Sequence, residues 1–367
     1  MTVRDIDHSE MVSTLQNGYR TKIPQFYMGR TAIGKSNTIH TFCADKAAEL
    51  SKELVDWNNT SLEKKKAIVE DPNPEKYFGF IDIRLSQYDP TDLRGLPSVD
   101  GVYTVWKNNL WVEAFKRIEG VILFDEINHA PPIMQNAVYQ ILLERQVGET
   151  PLSDGVLVIG AGNVAEDKSA TFRLPKPIIS RVFIYRLKVP SVKSWTSWAL
   201  AKNVDPRVIS YLQWKQSCLF LEDDKDMNIT TPRGWEFVSR SIDGVDDFEQ
   251  IELYSSGILG PGGAIEFVSF LKLTKKFDLD HILKAPTTAE LPTEMSQRYA
   301  LVAALTGRYK DDKPCFNGLI KVSARLPPEF GMLMVRMMKS ADVDSFKTNI
   351  FKTKEGEAIM EKLGSYM

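Results

Sequence analysis

Long apolar runs are missing from this chain. Nowhere do about 18 consecutive apolar residues occur, the length that a membrane-crossing helix needs, and the opening stretch MTVRDIDHSEMVSTLQ has no apolar segment of the kind that directs export. Cysteine is scarce: Cys43, Cys218 and Cys315 are odd in number and far apart, which argues against a disulfide framework and points to a reducing compartment. No CxxC or HExxH spacing suggests a structural metal. Charge of one sign is missing too. With 46 Lys and Arg against 48 Asp and Glu, the net charge is −2, so no global basic field draws the chain to nucleic acid or to an anionic membrane surface. These absences predict a cytoplasmic protein.

What is present is enough chain for two or three cores: 367 residues, 43% apolar and 26% charged. The first half alternates short apolar runs with helical patterns. FYMG at 26–29, FGFIDIRL at 78–85, VILF at 121–124 and VLVIGAG at 156–162 read as strands, with helices expected from Gly34 to Trp57 and near 131–146. That order predicts βαβ units and a parallel sheet. In the first helix Ile39, Phe42, Ala47, Leu50 and Leu54 recur at helical steps and form one apolar stripe. Segment 58–76 is charged and carries two prolines, which suits a surface connection or a short exposed helix.

After Pro190 the strand-like runs fade, and Trp195, Trp198, Tyr211 and Trp214 are spaced to fill a helical core. GILGPGGAIEF at 257–267 lacks the lysine of a phosphate loop and reads as a tight turn into a helix. The expected domains are an α/β nucleotide-binding domain over 1–189, a helical lid over 190–275 and a helical extension over 276–367.

Gly29-Arg30-Thr31-Ala32-Ile33-Gly34-Lys35-Ser36 matches GxxxxGK[ST] in full, after a strand and before an amphipathic helix. In such a loop the glycines let backbone N–H groups turn toward phosphates, and the helix N-terminus favours negative charge. Lys35 reaches the β- and γ-phosphate oxygens and Ser36 can ligand Mg²⁺, so the expected ligands are ATP and Mg²⁺. The strand 121–124 ends in Asp125-Glu126, at the strand end where open α/β sheets bind ligands. Asp125 is placed to hold the magnesium and Glu126 to polarise the attacking water. One crossover later the strand ends in Asn163, a neutral amide that can orient that water.

Taken together, GKS, VILFDEINHAPPIMQNAVYQILLERQVGE and VIGAGN make the sequence resemble the MoxR-like group of AAA+ ATPases, whose acidic motif reads close to DEINRAPxxxQ. DPTDLRGLP at 89–97, LPKPIISRVF at 174–183 and TPRGW at 231–235 extend the resemblance over roughly residues 20–270. It implies a P-loop NTPase parallel sheet flanked by helices (the AAA+ core), followed by an all-α lid and a helical C-terminal extension. By position it makes Asn163 the first sensor, Arg181 the arginine finger and Arg233 the second sensor on the lid, with Arg173 and Arg186 as rival fingers.

The resemblance further implies a ring, usually a hexamer, in which the finger reaches the neighbouring copy's site. It implies a protein client to be remodelled or activated, often alongside a von Willebrand A-type partner. His129 stands where the family usually has arginine, and Ser180 where an aspartate is common. Tyr103, Trp106 and Trp111, in the insert 98–118, suit either a client-gripping hairpin or a hairpin packed on itself. Two rival readings stand beside this one: a motor acting on nucleic acid, against which counts the lack of a basic, aromatic-interleaved module, and a scaffold that binds ATP only to lock an assembly. No Asn-Lys-x-Asp segment supports a GTPase.

Overall fold

The computed structural model describes residues 3–163, 176–222, 228–311, 315–352 and 354–364. It divides into two compact units, Met1–Val189 and Pro190–Met367. Arg173 lies outside the described residues.

In the first unit the strands, in chain order, are β1 (Arg4–Ile6), β2 (Gln25–Gly29), β3 (Glu53–Asp56), β4 (Tyr77–Arg84), β5 (Leu96–Asp100), β6 (Tyr103–Lys107), β7 (Glu119–Asp125), β8 (Gln146–Val147), β9 (Thr150–Pro151), β10 (Val156–Gly162) and β11 (Phe183–Leu187). Seven of them form one parallel sheet in the order β1-β11-β2-β10-β7-β4-β3. All of β10 and residues 120–124 of β7 are buried. Runs this apolar are stable only when both faces of the sheet are covered. The helix Lys35–Glu49 packs on β3, β4 and β7, and the helix Pro132–Glu144 packs on β10. Where β4 and β7 run side by side, a Cβ on Gly120 would lie 2.0 Å from the Gly79 carbonyl oxygen, so the close approach of these two strands depends on glycine.

Three expectations are corrected. The helix after Gly34 ends at Glu49, and residues 53–56 form β3 instead of a continuing helix; Ser51 takes a left-handed conformation (φ 54°) at the break, and Leu54 belongs to a strand at the sheet's edge. Trp111 is not on the hairpin. The antiparallel pair β5–β6 ends at Lys107, and Trp111 is buried in the short helix Leu110–Phe115, while Tyr103 and Trp106 are 72% and 44% exposed. Residues 257–267 do not open with a turn: they lie inside the helical stretch Phe248–Lys272, broken only at Gly260 (φ 71°, ψ 165°) just before Pro261. The segment 58–76 holds an exposed helix, Leu62–Glu70.

Among the described residues, the regular elements of the second unit are helices, with one isolated bridge between Leu221 and Thr230. One apolar cluster runs through it from Val192 to Ile359. At its centre the Tyr211 ring meets Trp235, Phe267 and Phe270 at centroid separations of 5.4, 5.2 and 5.5 Å. Trp195 and Tyr211 are buried in this core, and Trp198 and Trp214 pack against it. Among the described residues no helix is long and apolar enough to cross a membrane. The fold is therefore the expected one, a P-loop parallel sheet flanked by helices and followed by an all-helical part.

Candidate functional site

Every strand of a parallel sheet ends on the same side, so residues far apart in sequence converge there. Gly29 closes β2, Asp125 closes β7 and Gly162 closes β10. The loop after β2 turns through Ala32 and Gly34, both at positive φ (60° and 98°), and enters the helix at Lys35. Ile33 is buried beneath it, and Thr31 is exposed.

The Lys35 ammonium is buried and donates to the carbonyls of Gly29 and Arg30, each at 2.9 Å, and to Asn163 Oδ1 at 3.1 Å. Ser36 Oγ donates to Asp125 Oδ2 at 2.9 Å. Asp125 Oδ1 in turn accepts the Glu126 backbone N–H at 2.8 Å, with Glu126 itself left-handed (φ 57°). The structure thus brings together Lys35, Ser36, Asp125, Glu126 and Asn163, all from the first unit.

Three further residues hold this arrangement and were not singled out from the sequence. Asn128 is buried; its Nδ2 donates to the Asn163 carbonyl at 2.7 Å and its Oδ1 accepts the Asn163 N–H at 3.0 Å, so one amide fixes the backbone of another. Gly162 leaves the room, since a Cβ there would lie 2.5 Å from Asn128 Oδ1. An asparagine directly after Ile127, one residue past the acidic pair, was the available signal. Ser86 Oγ donates to Glu126 Oε2 at 2.9 Å across 40 residues of sequence, and nothing local announces it.

His8, the first residue of the helix His8–Thr21, meets the Ile33 carbonyl through Nε2 at 2.8 Å. A carbonyl only accepts, so Nε2 carries the proton, and the buried Nδ1 has no hydrogen-bond partner among the described residues. Burial holds the His8 ring below its ordinary value of 6.5. As pH falls below about 6.5, the unfolded chain takes up a proton that the folded chain refuses, so stability is lost on the acid side. Wild type should lose stability there by up to about 1.4 kcal/mol per pH unit more than His8→Gln. Denaturant unfolding between pH 5 and pH 7 checks this, and equal slopes would remove His8 as the cause.

The same side of the sheet is rich in carboxylates. Asp82 on β4 is pushed up to about 6, first by burial and then by the charge of Asp125. His40 lies 3.4 Å from Asp56 at the end of β3.

Arg181 is exposed and precedes β11, and its guanidinium makes no hydrogen bond or ion pair among the described residues. Phe183 pairs with Gln25 while Leu187 pairs with Gly29. At about 3.3 Å per residue, those four steps put Arg181 beyond the amino-terminal end of β11, more than about 13 Å from the end of the sheet that carries its own phosphate loop. Arg186 sits instead beside Met28 and faces Asp5 at 3.8 Å. Arg233 is exposed in the first turn of the helix Pro232–Ser241, in the second unit.

A hydroxyl and a carboxylate 2.9 Å apart, both hard oxygen donors, suit a small divalent cation that keeps further places for water and phosphate. Glycine-turned backbone, a buried lysine and a helix N-terminus suit phosphate. The fold is that of the P-loop class, and this cluster is suited to phosphate with a divalent cation.

No protein-family model matches the sequence, and no curated protein does. Among solved structures, the chain is similar to a candidate ATPase of Cytophaga hutchinsonii (14% identity, 91% of this chain and 82% of that one, TM-score 0.34). It is also similar to PCH-2 of C. elegans (12%, 82% and 68%, TM-score 0.29) and to NtrX of Brucella abortus in complex with ADP (13%, 98% and 68%, TM-score 0.32). Identities and scores this low leave activity to be argued from the chain's own residues.

Proposed function

We propose that this chain is an AAA+ ATPase of the MoxR-like kind, which couples hydrolysis of ATP to the remodelling or activation of a protein client. The observation that carries the reading is the convergence of Lys35, Ser36, Asp125, Glu126 and Asn163 at one side of the sheet. Residues 29–36 cradle the triphosphate. Ser36 and Asp125 would hold Mg²⁺, which would draw negative charge off the phosphate oxygens. Lys35 places its positive charge on the β- and γ-phosphates, Glu126 accepts a proton from the attacking water, and Asn163 orients that water.

Arg181, exposed and remote from its own loop, is suited to complete the site of an adjacent copy in a ring, expected to be a hexamer. Residues 190–275 would be the lid that carries Arg233, and 276–367 the extension. The exposed β5–β6 hairpin, tipped by Val99, Val102 and Tyr103, is suited to contact with a client, von Willebrand A-type domains being among the candidates. Three free cysteines support a cytoplasmic location.

The test is release of orthophosphate from ATP by the purified chain, with and without magnesium. Hydrolysis that needs magnesium and is lost in Lys35→Ala is expected. Binding without turnover would favour the scaffold, and no binding at all would overturn the reading.

A further inference from the structure

The second unit carries a groove of about 1080 Å³ between the helices Val192–Ala201 and Pro328–Ala341. Its floor is apolar: Leu200 and Val335 lie beneath, with Met332 half-buried and Val343 43% exposed beside them. Its charge is basic. Lys193, Arg336 and Lys339 line it against Glu329 alone. Ser197 holds Arg336 at 3.0 Å, whereas Lys193 and Lys339 are exposed and have no carboxylate within ion-pair distance among the described residues. An apolar trough edged by unneutralised ammonium groups fits an acidic segment with apolar side chains at its tip.

The same unit presents such a segment. Residues 243–254, DGVDDFEQIELY, hold Asp243, Asp246, Asp247, Glu249 and Glu252 and no basic residue. The helix begins there at Phe248, capped by Asp247, and exposes Glu249 together with Leu253 and Tyr254, the last two 69% and 45% exposed. Glu249 and Leu253, four residues apart, share one helical face. Asp247 at the cap and Glu249 in the first turn sit where the helix end favours negative charge.

We propose that this acidic face of one copy docks into the basic groove of the next, in a head-to-tail contact between second units that needs no nucleotide. A patch and its complement at different places on one chain make a heterologous contact, which closes into a ring or grows as a filament. Carboxylates face the Lys193 and Lys339 ammonium groups, and Leu253 and Tyr254 cover the trough.

The contact is tested on the full chain without nucleotide, by sedimentation velocity over a concentration series. The variants are Lys193→Glu with Lys339→Glu, and Glu249→Lys with Glu252→Lys; three of the side chains are exposed and Glu252 is half-buried, and unchanged circular dichroism checks their folding. Wild type is expected to self-associate, more weakly at high salt, and each double variant to do so at least about tenfold more weakly.

An equal mixture of the two variants should associate again. In it, each face meets a groove of opposite charge, wild-type in one orientation and reversed in the other. A monomeric wild type, variants that associate as wild type does, or a mixture that fails to recover would each overturn the contact, the last pointing to a partner of different sequence. A chain that assembles in this way but hydrolyses no ATP would keep the contact and sink the ATPase reading.

Discussion

Glu126→Gln is expected to lower steady-state ATP hydrolysis by about 10²–10⁴-fold and to leave ATP affinity little changed, because an amide cannot accept the proton of the attacking water. The substitution removes one negative charge and keeps the size and shape of the side chain. Glutamine keeps an oxygen to accept from Ser86 Oγ, as Glu126 Oε2 does at 2.9 Å, and Asp125 still receives the backbone N–H of position 126. A rate within a fewfold of wild type would show that Glu126 is not the proton acceptor. Such a variant should also hold ATP long enough for bound clients to be recovered with it.

Arg181→Ala should cost about 10³–10⁵ in rate, the range found when a guanidinium is withdrawn from a transferring phosphoryl group. Its position adds a second arm to this experiment. Arg181 precedes the amino-terminal end of β11, away from the strand ends that carry its own loop, so an equal mixture of Arg181→Ala with Lys35→Ala should regain part of the lost activity. In mixed assemblies some intact loops face intact fingers. Arg186→Ala should leave hydrolysis near wild type, since Arg186 is spent on Asp5. Loss in Arg181→Ala without recovery in the mixture would mean that the arginine acts within its own chain or supports folding; no loss at all would end the shared-site mechanism.

How much of this was legible depended on how local each signal was. The phosphate loop is eight contiguous residues between a strand and a helix, and Asp125-Glu126 follows directly on an apolar strand, so both could be placed by reading along the chain. Leu54 deceived because four residues after Leu50 is helical spacing, yet the chain turns at Ser51 and spends Leu54 on a four-residue edge strand. β1 and the helix His8–Thr21 were passed over: a three-residue strand pairing only with β11 has too short a pattern to see. Ser86 and His8 reach the site across 40 and 25 residues, and polar groups satisfied at that distance leave no periodicity. Arg181 and Arg233 entered only through family likeness, because an exposed arginine carries no local mark of its role.

The lysine at the head of the helix also acts as an interlock. Its protons are committed to two carbonyls of its own loop and to the side chain of Asn163, so an incoming phosphate competes with the protein for the same donor. A phosphate that displaced Asn163 Oδ1 would free the amide for water, while the Asn163 backbone is held by Asn128. On the proposed reading, occupation of the cradle and the freeing of Asn163 to orient water would be one event.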